Sequence, residues 1–130
     1  NDLDMFSENR TAAILAKAVA QDAAALDACS ALRAATLGGA KAIGFDDRIG
    51  SIEPGKEADL VCVDLSALET QPLHHVGSQL IYATGRQQVS DVWIAGRPKL
   101  QQRVLVEIDI DGVIANARQW RERIAGIRRS

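Results

Sequence analysis

Around Gly44 the sequence changes period: an alanine-rich stretch patterned at helical intervals gives way to short valine- and leucine-rich runs separated by turn residues. A chain divided in this way forms helices first and a small sheet second, which predicts a mixed α/β fold. Residues 8 to about 42 predict the helices. Alanine favours helix, and Leu15, Ala18 and Val19 share one face of the first. Asp22 marks a break. Leu26, Cys29 and Leu32 then recur every third residue, and Thr36 offers a new cap. The stretch "TLGGAKAIG" reads as a short helical turn whose glycines permit close packing.

After Gly44, "ADLVCVDL" predicts a strand with Leu60, Val61, Cys62 and Val63 protected. "SQLIYATG" predicts a second strand over 79–83. "QVSDVWIAGRP" predicts a third, with Ala95 and Gly96 at a hairpin turn and Pro98 restricting its exit; "QRVLVEI" returns antiparallel. The C-terminal run is helical again. Asp109 is its cap, and Val113, Ala117, Trp120 and Ile124 form an apolar stripe read as a docking face, so that a sealing helix follows the sheet.

The 130 residues have the length of one ordinary domain. Their hydrophobic share of 47% supports a core, but two Trp, one Tyr and two Phe leave most packing to Leu, Ile, Val and Ala. Fifteen basic against seventeen acidic residues give no electrostatic reason to expect a nucleic-acid partner. Arg118, Arg121, Arg123, Arg128 and Arg129 cluster near the C-terminus, but Glu122 lies among them and no aromatic ladder accompanies them, so they read as a solvated helix face. Cys29 and Cys62 are too far apart in sequence for a compact metal or redox pair and read as buried free thiols. No apolar segment approaches the roughly 20 residues that span a bilayer, and the first residues lack a signal peptide's pattern. A cytoplasmic, reducing setting without membrane contact is expected. The opening "NDLDMF" lacks an initiator Met and reads as an excised or processed segment.

Three candidate sites deserve weighing. Gly50, Gly55 and Lys56 have the spacing of a phosphate-binding loop, but Glu57 stands where a Ser or Thr would bind magnesium, and a strand rather than a helix follows. Pro54 and Gly55 instead suit a type II turn over 53–56, with Lys56 near solvent. His74 and His75 are adjacent, so on extended backbone their side chains diverge, and a loop or surface role is expected. Asp2, Asp4 and Glu8 are read as helix-start and capping residues. No catalytic set is complete.

Taken in order, "NDLDMF" (1–6), "LRAATLGGAKAIG" (32–44), "IGSIEPGKEADLVCVDL" (49–65) and "VSDVWIAGR" (89–97) resemble the C-terminal portion of the metal-dependent amidohydrolase superfamily. The resemblance is to the aminohydrolase branch containing chlorotriazine hydrolases and methylthioadenosine or adenosylhomocysteine deaminases. It implies a C-terminal fragment of a metal-dependent β/α barrel plus part of a composite β-sandwich: residues 1–44 the end of the barrel, 45–107 part of the sandwich, 108–130 a packing helix.

The same resemblance implies a parent enzyme in which a divalent metal, usually zinc, activates water for attack on an electron-poor ring carbon, with ammonia leaving. The metal ligands and acid/base residues would precede Asn1. Asn1 itself, with Asp2, Leu3, Asp4 and Met5, would lie in the loop after the last barrel strand and is the substrate-neighbouring candidate; no metal ligand or catalytic residue is assigned within the chain. The expected partners are the barrel portion of the parent and a small heterocyclic substrate, with a homo-oligomer allowed. The isolated piece is expected to be inactive. A chlorotriazine or other amidine hydrolase is the enzymatic alternative, and a noncatalytic interaction domain is the alternative of a different class.

Overall fold

Asp4 opens the first helix as the sequence predicts. In the computed structural model, which describes residues 3–127, its carboxylate accepts from the amides of Phe6 (3.0 Å) and Ser7 (3.3 Å) and caps α1, Met5–Ala20. Glu8 falls in the first turn, where a negative charge suits the helix dipole. Gln21 ends the helix in the left-handed region, and the Asp22 amide bonds back to the Lys17 carbonyl at 3.2 Å, so the break comes where Asp22 marks it.

The buried face of α1 is not the expected one. Leu15 is 58% and Val19 77% exposed, whereas Ala13 is fully buried on the opposite side. A small residue there lets α1 approach its neighbours closely. The flanking long side chains reach over them: Arg10 donates to the carbonyls of Ile81 (3.2 Å) and Thr84 (2.5 Å), and Lys17 to those of Ala25 (2.6 Å) and Leu26 (2.9 Å).

Asp27 caps α2, Ala28–Arg33, through the amides of Cys29 and Ser30. The helix continues through a wider π-helical turn, Ala34–Gly38, into α3, Gly39–Ala42. Thr36 therefore caps nothing: its hydroxyl donates to the Leu32 carbonyl at 2.8 Å inside a continuous helical run. Gly38 is closely packed, since a methyl group on it would stand 3.2 Å from the Arg33 carbonyl oxygen, and Gly50 is approached more closely still. A methyl group on it would stand 2.7 Å from the Ala40 Cβ.

The stretch expected as a strand over 79–83 is helical: α4 spans Val76–Tyr82. Its β-branched and aromatic residues favour a strand in isolation, but packing overrides that preference. In helical form Ile81, 2% exposed, joins Ala13, Ala28 and Ala31 in the core, with Leu26 and Leu32 packed against them.

Four antiparallel strands form one sheet in the order β1-β2-β3-β4: Leu60–Val63, Val89–Ile94, Arg97–Gln101 and Val104–Leu105. Ala95 and Gly96, at φ 49° and 73°, make the β2–β3 turn where the sequence puts it. Pro98 sits within β3 opposite Trp93, beside a register shift, where a missing N–H is tolerated. The return over 102–108 is shorter than expected. Gln102 and Arg103 take left-handed conformations as a turn, leaving only Val104 and Leu105 as strand.

Protection of β1 also differs from expectation. Val61 is 57% exposed, and both Cys62 and Cys29 are exposed free thiols rather than buried ones. A register shift between Cys62 and Val63 breaks the in–out alternation, and Val61 borders an open groove. Between β1 and β2 the chain loops out through α4 and returns. Three buried polar side chains brace that excursion: Thr70 donates to the Leu65 carbonyl, Thr84 to Gln79, and Gln88 to the Glu69 carboxylate while accepting from the Gly85 amide.

The last helix, α5, spans Ile110–Ile127 and starts as predicted, with the Asp109 carboxylate accepting from the Gly112 amide at 3.0 Å. It buries none of its side chains, so it seals nothing within the described residues. Arg118, Arg121 and Arg123 lie on its exposed surface, Arg123 stacked on Trp120; Arg128 and Arg129 fall outside the described residues. The whole is a mixed α/β arrangement with an antiparallel sheet, and no closed barrel forms among the described residues.

Candidate functional site

The loop between α3 and β1 carries the most suggestive motif, and its geometry decides what the motif does. Gly55 has φ 94° and the Lys56 amide donates to the Glu53 carbonyl at 3.2 Å, closing the turn that Pro54 and Gly55 predict. Lys56 does not stay near solvent. Its side chain is 13% exposed, and Nζ donates to the carbonyls of Asp46 (2.5 Å) and Ile49 (3.5 Å) and to the Ser51 hydroxyl (2.7 Å), with Glu53 at 3.8 Å. The ammonium is turned inward because the loop curls around it, leaving carbonyl oxygens that need a donor. It is a staple for the loop, not a ligand waiting for phosphate.

Neighbouring charges serve the same end. Arg48 pairs with Glu57, which raises the guanidinium pKa above its ordinary value, and stacks 5.2 Å from the Phe45 ring centroid. The Ser51 hydroxyl, then the Lys56 charge, hold the Glu53 carboxyl below its usual range.

Between this loop, the helices and β1 runs a groove of about 670 Å³. Its walls are mostly apolar, Met5 and Phe6 on one side and Leu60 and Val63 on another. Several polar groups at its border are occupied: Thr36 by the Leu32 carbonyl, Asp59 by the Ala95 amide at 2.7 Å. Such a groove suits apolar packing, and it assembles no nucleophile with a base.

The other candidates resolve into structural roles. His75 is the N-cap of α4, its Nδ1 accepting from the Ser78 amide at 3.0 Å, and His74 lies exposed in the preceding loop. The two histidines share no site. Asp4 and Glu8 are spent at the start of α1, while Asn1 and Asp2 lie outside the described residues. Among the described residues no group of three or more His, Cys, Asp or Glu side chains is placed to hold a metal. No described helix is long and apolar enough to cross a membrane.

One polar network joins a local contact to a remote one. Asp64 at the end of β1 accepts from the Ser66 hydroxyl (2.6 Å) and amide (3.0 Å), two residues on, and from Arg103 (2.9 Å), 39 residues away. Ser66 and then Arg103 lower its pKa from 3.8 to about 2. Because the folded pKa is depressed, the contribution is present above the ordinary carboxylate pKa and lost as pH falls through about 2. Asp64→Asn is therefore expected to flatten the loss of stability of the intact protein between pH 4 and 2, read by thermal melts across that interval. Superimposable acid limbs for the two proteins would contradict this.

The sequence pattern of the amidohydrolase family matches residues 1–99. A 5-methylthioadenosine/S-adenosylhomocysteine deaminase from Teredinibacter turnerae is 48% identical over 128 residues, covering 98% of this chain and 29% of that protein. Its counterpart from Saccharophagus degradans is 36% identical over 130 residues, 100% of this chain and 29% of that protein. Among solved structures, a zinc-bound adenosine deaminase from Xanthomonas campestris is 77% identical with a TM-score of 0.92, covering 94% of this chain and 28% of that one. An atrazine chlorohydrolase from Arthrobacter aurescens, complexed with zinc, is 26% identical with a TM-score of 0.77 over 85% of this chain and 25% of its own. The chain thus spans less than a third of the length of the curated relatives it matches. A superposition that takes in 94% of the chain must include much of α5, whose 18 residues exceed the share left out. With its ordered motifs, its family pattern over most of its length and its shared fold, this chain belongs to the amidohydrolase family.

Proposed function

We propose that this chain is the C-terminal part of a larger metal-dependent hydrolytic deaminase acting on an adenine nucleoside or a related heterocycle. The observation that carries the reading is the 48% identity, across 98% of this chain, to a deaminase of methylthioadenosine and adenosylhomocysteine. Likeness to the atrazine chlorohydrolase favours a second reading, a chlorotriazine or other amidine hydrolase, but at 26% identity it is the weaker.

On this proposal residues 1–44 end a β/α barrel, residues 45–107 supply part of a composite β-sandwich, and residues 108–130 supply a packing helix. Exposed Leu15 and Val19 on α1 and Val61 on β1 support that division, because they are apolar surfaces of the kind an upstream barrel would cover. Asn1 is proposed to border the substrate in the loop after the last barrel strand. Two free cysteines suit a reducing, cytoplasmic setting.

The residues present do not fit a metal centre, since the described part brings no three ligating side chains together. No reaction step is therefore routed through this chain. A divalent metal, zinc on the likeness to zinc-bearing structures, would be held by upstream residues and would supply activated water there. The present residues would contribute the scaffold, and alone they would be inactive.

The test loads the complete parent with zinc and measures ammonia and chloride separately. Ammonia release from methylthioadenosine, adenosylhomocysteine or adenosine is expected. Chloride release from a chlorotriazine, with no ammonia from any adenine nucleoside, would replace this reading with the hydrolase alternative. A parent lacking upstream metal ligands would leave only a noncatalytic interaction domain.

A further inference from the structure

We draw no further inference here: the strongest candidate, the open groove of about 670 Å³ between α1, the π-helical turn, the Gly50 loop and β1, is an unpartnered apolar face, and nothing in the structure shows what covers it.

Discussion

Gly50→Ala is expected to destabilise the intact protein by about 2–5 kcal/mol, the sum of a left-handed backbone strain of about 1–2 and an overpacking cost of about 1–3. Gly50 has φ 88°, and a Cβ there would stand 2.7 Å from the Ala40 Cβ, 3.0 Å from the Leu37 Cα and 3.2 Å from the Thr36 carbonyl oxygen. Two of those three atoms are backbone, in the helical run through the π-turn, and cannot rotate away. Gly55 is the internal control. Its φ is 94° but no atom lies within 4 Å of the added Cβ, so Gly55→Ala should show only the backbone part, about 1–2 kcal/mol. Chemical denaturation of both variants checks this, and equal losses at the two positions would show that the approach of the loop to α3 is looser than described.

Lys56→Met should cost about 2–3 kcal/mol by the same measurement. Methionine fills the space of the lysine stem but donates nothing, so the inward-facing carbonyls of Asp46 and Ile49 and the Ser51 hydroxyl lose their shared donor. A lysine held in solvent or reserved for a phosphate would behave differently, since substitutions at exposed sites without such partners usually fall within about 0.5 kcal/mol. The size of the loss therefore separates a loop staple from a free binding side chain.

Both predictions concern a stretch whose outline could be read directly. Pro54 and Gly55 specify their turn within four residues, and the strand that follows is as expected. The environment of Lys56 could not be read, because its acceptors depend on how the preceding ten residues curl. The same division holds elsewhere. Asp4 and Asp109 act through groups two or three residues away, and each does what its residue type predicts. Residues 79–82 went the other way: leucine, isoleucine and tyrosine suggest a strand, but the helix lets Ile81 reach Ala13, Ala28 and Ala31.

For the candidate site, the legible part was an incompleteness. Two adjacent histidines, two distant cysteines and a lysine after a Pro-Gly turn do not form a catalytic set, and the structure gives His75 and Lys56 structural work. Family membership was legible from motif order, since four short stretches in sequence constrain more than any one. The Asp64–Arg103 pair was not legible, because residues 39 apart meet only when the β3–β4 turn sets Arg103 against the start of β2, next to the end of β1.

The sequence by itself determined the helix-start caps of α1 and α5, the Pro-Gly turn, the switch from helix to sheet and the apolar stripe of α5, because each depends on bonds and periods spanning a few residues. Only the tertiary structure decided which surfaces face inward. Leu15 and Val19 are as apolar as a core pair should be, yet they stay exposed while Ala13 is buried, because in this chain α2 and α4 lie on the side of α1 where the small residue permits close approach.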